Sequence, residues 1–186
     1  DENSDLTYGI EPKGKQVTLG EARDQLDPAG KPTLACPDAT TAFTQTGTLT
    51  ASAAVLEAGS GRATEKSATM ALHPEKYYIG AKTKATSAQA GKQFTVEGMV
   101  VDWNGKLAPA AAKTLDVELL HLEADYGYGY DEDSGESRYD RYLREVPEGK
   151  LMAKVEGGKF SFDVTPGEAA AGYVVRIKSG KARTDL

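Results

Sequence analysis

The sequence is poor in the residue types that disulfides, metal sites and phosphate sites require. Its 186 residues include one cysteine, Cys36, and two histidines, His73 and His121. A single cysteine cannot form an internal disulfide. The formal net charge of −6 argues against a nucleic-acid partner, since phosphate binding needs clustered Lys and Arg side chains.

Long apolar runs are missing as well. No stretch of the sequence approaches the roughly 18 apolar residues of a membrane-spanning helix, so we expect no membrane contact from these residues. The composition, with 39% hydrophobic and 27% charged residues, is that of a globular chain able to bury a core.

Glycine, proline and short alternating segments are abundant. Twenty glycines and eight prolines separate runs in which apolar and polar residues alternate, the pattern of β-strands. The clearest run covers 93–101, and Asn104-Gly105 after it is a strong hairpin signal. Further runs cover 115–121, 151–155, 160–164 and 173–177. Because no convincing amphipathic helix is present, we predict an all-β fold.

Two segments are echoed later in the chain, in the same order. Residues 30–37 resemble 158–166, and 54–64 resemble 174–184. Each pair reads as a strand opened by Gly-Lys and a hairpin closed at Ser-Gly, which indicates a duplicated domain. We predict a short or N-terminally incomplete β-sandwich over 1–75 and a nearly whole one over 76–186. The second copy stops inside its last strand, so the chain is expected to be cut from a longer array.

Candidate catalytic and metal-binding residues are few. His73 and His121 are isolated in strand-like contexts without a Cys or His at ligand spacing, so structural roles are expected for both and no metal site is predicted. Cys36 precedes Pro37 and has no adjacent base, which favours a buried small hydrophobe. Residues 59–61 lack the Lys-Ser/Thr ending of a phosphate loop and read as a hairpin tip. We expect no enzyme activity and no cofactor.

The most unusual segment is a tyrosine-rich stretch over 125–145. Its alternation on both sides of a turn-like Asp-Ser-Gly predicts a long hairpin with a tip at 131–136. Tyr126, Tyr128 and Tyr130 would line one face opposite Tyr139 and Arg141, held by cross-strand aromatic and cation–π contacts. The tip with its neighbouring arginines is also a plausible site of proteolytic nicking, and the predicted protease-sensitive residues are Arg138, Arg141 and Arg144.

Two other interpretations of this segment stay open. Asp131, Asp133 and Glu136 offer oxygen ligands for calcium, although their spacing fails the EF-hand pattern. Alternatively, the rings form an aromatic platform for a sugar or peptide. The candidate binding residues are Tyr126, Tyr128, Tyr130, Tyr139 and Tyr142.

The order of several motifs resembles the macroglobulin-type domains of bacterial alpha-2-macroglobulins. The segments that carry this resemblance are 54–74, 77–82, 91–92, 100–106, 158–164 and 172–175. The resemblance implies tandem antiparallel, seven-stranded, fibronectin/immunoglobulin-like sandwiches. Cys36 stands in Ala-Cys-Pro-Asp, which departs from the Cys-Gly-Glu-Gln thioester of that family, so no functional residue is carried over.

What the resemblance implies for function is a non-catalytic scaffold fragment of a broad-spectrum protease inhibitor in the bacterial cell envelope or periplasm. Its partners would be neighbouring domains of the same chain, with proteases as targets of the full-length protein. The alternative is an independent cell-surface binding module, adhesin-like or carbohydrate-binding, using Trp103 and the tyrosine-rich loop. An enzyme using an acidic pair such as Asp131 and Glu136 is a distant third interpretation.

Overall fold

A computed structural model describes residues 5–10, 16–35, 46–131, 136–167 and 170–186. Within these residues the chain forms ten β-strands and no helix, so none of them makes a helix long and apolar enough to cross a membrane. The predicted all-β class is confirmed. The strands are β1 Thr7–Tyr8, β2 Gly47–Leu56, β3 Ala63–Leu72, β4 Tyr77–Thr83, β5 Phe94–Asp102, β6 Thr114–Asp131, β7 Glu136–Lys154, β8 Lys159–Val164, β9 Tyr173–Ser179 and β10 Ala182–Asp185.

The chain divides into two compact units. The first comprises 1–10 and 75–186, and the second comprises 11–74. The second unit is therefore inserted between β1 and β4 of the first. Strand β1 therefore belongs to the sandwich that the sequence analysis predicted over 76–186. A separate macroglobulin-like sandwich over 1–75 stays a prediction.

The first unit consists of two four-stranded antiparallel sheets. One has the strand order β1-β4-β5-β8 and the other β10-β9-β6-β7. Apart from the two-residue β1, the sheets use seven strands, β4 to β10, which is the number that the resemblance implied.

Period-two alternation along these strands builds the core between the two sheets. In β6, Leu115 and Val117 are buried whereas Asp116 between them is exposed, because successive side chains of a strand point to opposite faces. The other sheet contributes Ile79 and Val100 to the same cluster. The remaining buried members are Ala81, Val96, Ala112, Leu119, Ala153, Phe160, Val164, Val175, Ile177 and Ala182.

Two glycines let aromatic rings lie directly on the β4–β5 pair. A Cβ added at Gly98 would collide with the carbonyl oxygen of Gly80 and the ring of Phe160, its cross-strand partner on β8. A Cβ added at Gly80 would lie 2.5 Å from Cε1 of Tyr8. The two positions therefore require glycine for close packing rather than for a positive φ.

The hairpin predicted at Asn104-Gly105 is present only as a turn with one bridge. Gly105 has a φ of 76°, and the amide of Asp102 donates to the carbonyl of Lys106 at 2.8 Å. The chain then returns to β5 only through a bridge between Val101 and Leu107. The predicted hairpin is therefore present in a short form, because Pro109 lacks a strand donor and the chain passes on to the core, where Ala112 is buried.

The internal repeat corresponds to shared structure in one of its two parts. Residues 54–64 and 174–184 each include a strand–turn–strand hairpin, β2–β3 and β9–β10. The other pair differs, because β8 is a strand while 30–34 lies outside any strand. That expectation is wrong: Asp27 Oδ1 accepts from the amides of Ala29 and Lys31, which forms a turn, and Pro32 removes a donor that a strand would need.

The second unit contains a single two-stranded sheet in its described residues. Strands β2 and β3 pair without interruption from Gly47↔Leu72 to Leu56↔Ala63. The amide of Glu57 donates to the carbonyl of Arg62 at 2.9 Å, which closes the tip. Most side chains of both strands are exposed.

Candidate functional site

The long hairpin predicted at 125–145 corresponds to β6 and β7, which extend beyond the sandwich as a ribbon. Strand β6 pairs with β9 only between Asp116 and His121, but it pairs with β7 as far as Asp131. We call residues 123–131 and 136–144 the tyrosine ribbon. It has no third strand among the described residues, so neither edge of the ribbon pairs with another described strand.

One face of the ribbon carries a stack of tyrosine rings. The rings of Tyr126 and Tyr139 lie 6.2 Å apart at 15°, and those of Tyr128 and Tyr139 lie 5.0 Å apart at 57°. The register places Tyr128 opposite Tyr139 and Tyr126 opposite Arg141, the face that alternation predicted. The exposed fractions of Tyr126, Tyr128 and Tyr139 are 57%, 81% and 61%. The rings thus pack on one another and remain more than half exposed.

The other face of the ribbon carries Tyr142 and a group of charges. Tyr142 covers Gly127, where an added Cβ would lie 3.0 Å from its ring. Nη2 of Arg144 lies 2.5 Å from Oε2 of Glu123 and its Nε lies 3.8 Å from Oδ2 of Asp125. The five candidate tyrosines therefore do not share one surface, because Tyr142 lies opposite the stack.

A β-bulge marks the point where the ribbon leaves the sandwich. Leu119 pairs with Gly149 and Leu120 pairs with Pro147, which leaves Glu148 as the extra residue. The Oε1 of Glu148 lies 3.2 Å from Nδ1 of His121, and both side chains are at least nine-tenths buried. Glu148 also accepts from the amide of Gly167 at 3.2 Å. The bulge thus directs a carboxylate to an otherwise unsatisfied histidine nitrogen.

His121 lies between two carboxylates. Its Nε2 lies 3.0 Å from Oε1 of Glu123, opposite the Nδ1 contact with Glu148. The hydrogen bond with Glu123 raises the pKa of His121 against the effect of burial, and the charge of Glu148 adds to the rise. The same hydrogen bond lowers the pKa of Glu123. The structural role expected for His121 fits this pairing, and His73 directly follows β3 near the end of the second unit.

A buried arginine, Arg176, connects three strands of the β10-β9-β6-β7 sheet. Nη2 of Arg176 on β9 lies 2.8 Å from Glu145 on β7 and 3.0 Å from Asp185 on β10. Burial alone would raise the pKa of Asp185, but hydrogen bonds from Arg183 and Arg176 lower it. Sequence analysis missed Glu148, Glu145 and Arg176. The only available signal was a charged residue inside the alternating run 173–177.

The remaining sequence candidates are dispersed. Arg138, Arg141 and Arg144 are all paired with residues of β6, so none of the three lies in an unpaired loop. Asp133 lies outside the described residues, as do Cys36 and the central part of the hairpin tip. Among the described residues, no three His, Cys, Asp or Glu side chains form a group able to hold a metal.

Three further candidates are two acidic residues at the end of the ribbon and one tryptophan. Asp131 and Glu136 form the last cross-strand pair of the ribbon, and their side chains are outside the described set. Trp103 follows β5 in the other sheet, and its Nε1 donates to the carbonyl of Glu75 at 2.8 Å. Trp103 and the stacked tyrosines therefore belong to different sheets.

A depression of about 610 Å³ lies beside β6, β7 and β9. Three of its charged groups are paired: Glu118 lies 3.0 Å from Nζ of Lys150 and 3.3 Å from Nζ of Lys178. The hydrogen bond from Lys150 lowers the pKa of Glu118. A carboxyl group with a lowered pKa is poorly suited to act as a general acid, so the depression does not indicate catalysis.

Comparison with solved structures shows that the fold of this chain is similar to that of segments of bacterial alpha-2-macroglobulins. Escherichia coli alpha-2-macroglobulin activated by porcine elastase matches with a TM-score of 0.62 and 18% identity, over 98% of this chain and 16% of that one. Its native conformation gives 0.59 and 20%, over 98% and 12%. Salmonella alpha-2-macroglobulin reacted with methylamine gives 0.59 and 15%, over 98% and 13%.

These likenesses concern the fold of a part of a longer polypeptide. No protein-family model and no curated protein matches the sequence. The chain spans 12% to 16% of the length of the first two of these structures and 13% of the third. The resemblance drawn from the sequence is confirmed at the level of structure: this chain has the fold of a segment of the bacterial alpha-2-macroglobulins.

Proposed function

We propose that this chain is a non-catalytic scaffold fragment of a bacterial alpha-2-macroglobulin-like, broad-spectrum protease inhibitor whose full-length polypeptide traps endopeptidases. The observation that carries the proposal is the fold likeness over 98% of the chain. Its partners are neighbouring domains of the same polypeptide, and its targets are proteases. The proposed location is the bacterial cell envelope or periplasm, with a lipid anchor in a region outside this chain.

The arrangement of the charged groups supports a structural role. Arg176 forms ion pairs with carboxylates on two other strands of its sheet, and His121 lies between Glu123 on its own strand and Glu148 at the bulge of β7. Buried charges are tolerated when they are paired in this way. Such pairs hold the strands of one sheet in fixed positions, which is what a domain that positions its neighbours requires.

Protease trapping by the full-length polypeptide is the direct test. The polypeptide is incubated with trypsin, chymotrypsin and elastase, and each protease is then assayed on a small chromogenic peptide and on a large protein substrate. Entrapment predicts loss of activity on the large substrate with activity on the small one retained. The 186-residue chain alone is the control and is expected to inhibit neither. Equal activity on both substrates would contradict the proposal.

The tyrosine stack supports a second candidate, an independent cell-surface binding module that is adhesin-like or carbohydrate-binding. Tyr126, Tyr128 and Tyr139 expose large amphipathic rings on a ribbon that leaves the sandwich. Exposed tyrosines are common anchors in protein interfaces.

Binding to glycan and peptide arrays tests the second candidate. The triple substitution Tyr126→Ala, Tyr128→Ala and Tyr139→Ala removes the stack, while Tyr142→Ala on the opposite face is the matched control. A binding module predicts a specific signal that the triple substitution abolishes and the control retains. Absence of any specific signal leaves the scaffold function alone.

A further inference from the structure

The β2–β3 hairpin of the second unit has one apolar face. Its direct cross-strand pairs include Leu49↔Met70 and Ala51↔Ala68, and direct pairs lie on the same face of a sheet. Ala53 and Val55 continue the face toward the tip, where their partners are Lys66 and Thr64. We call these side chains the apolar face of the hairpin; its members are Leu49, Ala51, Ala53, Val55, Ala68 and Met70.

The opposite face of the hairpin is polar along its middle. The intervening pairs are Thr48↔Ala71, Thr50↔Thr69, Ser52↔Ser67 and Ala54↔Glu65, and one apolar pair, Leu56↔Ala63, lies at the tip end of this face. Alternation of this kind is typical of an antiparallel sheet with one face on a core and one face in solvent. The hairpin therefore has the residue pattern of a half-buried sheet.

The structure leaves the apolar face uncovered by the described residues. Val55 and Met70 are exposed, and every residue of β2 from Thr50 to Leu56 is exposed. The described residues of 11–74 include no further strand. A single two-stranded hairpin is at best marginally stable in water, so a hairpin of two ten-residue strands with an apolar face calls for a surface that covers it.

We propose that the apolar face of the β2–β3 hairpin docks on the apolar sheet of another β-sandwich domain of the same, longer polypeptide. The inference rests on the proposed function, in which this chain is one segment of such a polypeptide. In the solved structures with the same fold, at least 84% of the polypeptide lies outside the part that matches this chain. That length supplies further domains as occupants.

The side chains of the face specify the kind of surface that fits it. Ala51, Ala53 and Ala68 are small, which keeps the middle of the face flat. Flat apolar faces suit sheet-on-sheet packing, in which sheets lie about 10 Å apart. The single charge, on Lys66, lies toward the tip beside Ala53, where its ammonium can extend to solvent while its stem covers apolar surface.

Thiol accessibility tests the proposal. In a Cys36→Ser background, Ala53→Cys places a thiol on the apolar face and Ser52→Cys places one on the polar face of the same strand. Both variants are made in the natural-length polypeptide and in the 186-residue chain, and alkylation by a maleimide is followed by mass spectrometry. Docking predicts that Ala53→Cys reacts about tenfold or more slowly in the longer polypeptide, since a thiol in an interface reacts only when the contact opens. Ser52→Cys is expected to react equally in both.

Three outcomes overturn the proposal. Equal reactivity of the two thiols in the natural-length polypeptide means that the face is free. Protection of Ala53→Cys in the 186-residue chain that grows with concentration identifies a second copy as the occupant. Protection there without concentration dependence identifies cover by the chain itself. A polypeptide that protects Ala53→Cys but traps no protease contradicts the proposed function alone, whereas one that traps proteases with both thiols reactive contradicts this inference alone.

Discussion

The hydroxyl of Thr184 donates a hydrogen bond to the carbonyl of Ile79 at 2.5 Å. Thr184 lies on β10 and Ile79 on β4, so this bond connects the two sheets. The same hydroxyl oxygen accepts from the amide of Gly9 at 3.0 Å, and the amide of Asp185 donates to the carbonyl of Gly9 at 3.2 Å. One buried side chain thus attaches the N-terminal segment to both layers of the sandwich.

Substitution Thr184→Val is expected to destabilise the first unit. Valine has nearly the same shape but leaves the buried Ile79 carbonyl and the Gly9 amide without their partner, which costs about 1–3 kcal/mol. Urea unfolding followed by tryptophan fluorescence measures the change, because the only tryptophan lies in this unit. Thr95→Val, which removes an exposed hydroxyl bonded to Asp163, is the control and should change stability little. A Thr184→Val variant as stable as the control would contradict the bridging role.

Substitution Gly98→Ala is expected to destabilise the same unit by overpacking. The added methyl group meets the backbone oxygen of Gly80 and the ring of Phe160, and the backbone contact cannot relax by a side-chain rotation. Overpacking of this kind costs about 1–3 kcal/mol. Gly129→Ala, at a strand position with open space around the added Cβ, is the control. Equal thermal midpoints for the two variants would show that β4 and β5 can move apart.

The pair of His121 with its carboxylates predicts a pH-dependent stability. The pKa of His121 is raised in the folded state, so its contribution is full below the unfolded pKa of about 6.5 and is lost as the pH rises through the folded pKa. The pKa of Glu123 is lowered, so its contribution persists until the pH falls well below the usual carboxyl range. Wild type should therefore gain stability relative to His121→Asn as the pH falls from about 8 to about 6.

Thermal unfolding at a series of pH values measures this difference. Glu148→Gln is expected to reduce the gain while it keeps the bulge, because the amide retains the shape of the side chain without its charge. His73→Asn, in the second unit, serves as the control and should leave the pH profile of the first unit unchanged. A difference between wild type and His121→Asn that is independent of pH would show that His121 acts only by packing.

Limited proteolysis is expected to cut within 16–35 before it cuts at Arg141 or Arg144. Nearly all of residues 16–35 are exposed, none of them lies in a strand, and their only regular feature is the turn at 28–30. Arg141 and Arg144, in contrast, lie in the part of β7 that is paired with β6. Proteases need an extended, unpaired segment, and these concentrate in exposed loops. Mass spectrometry of early digests with several unrelated proteases identifies the sites. First cuts at Arg138, Arg141 and Arg144 would instead support the sequence prediction that these residues are protease-sensitive.

Much of the fold and part of the candidate site could be predicted from local patterns. Alternation predicted strands over 93–101 and 160–164, and β5 and β8 cover nearly the same residues. Alternation also predicted the shared face of Tyr126, Tyr128 and Tyr139. These predictions succeed because the two-residue period of a strand is written directly in the sequence.

The remainder depends on contacts between residues far apart in the chain. No local pattern pairs Thr7 with Ala81 across the inserted second unit. Alternation likewise could not predict the bulge at Glu148 or the short return of the chain after Asn104-Gly105. Both depend on which strands are neighbours in the sheet. The echo of 30–37 in 158–166 misled for the same reason: similar residues form a strand only where a neighbouring strand supplies hydrogen bonds.

The sequence by itself determined that this protein is all-β and which residues of each strand share a face, because side-chain direction follows from backbone geometry alone. Only the tertiary structure decided that β1 joins the sandwich after the insertion and that Arg176 joins Glu145 and Asp185. Only it decided that an apolar face of β2 and β3 is left uncovered by the described residues. Those features depend on the order of strands in each sheet, which is set by the burial of the whole core and the closure of long loops.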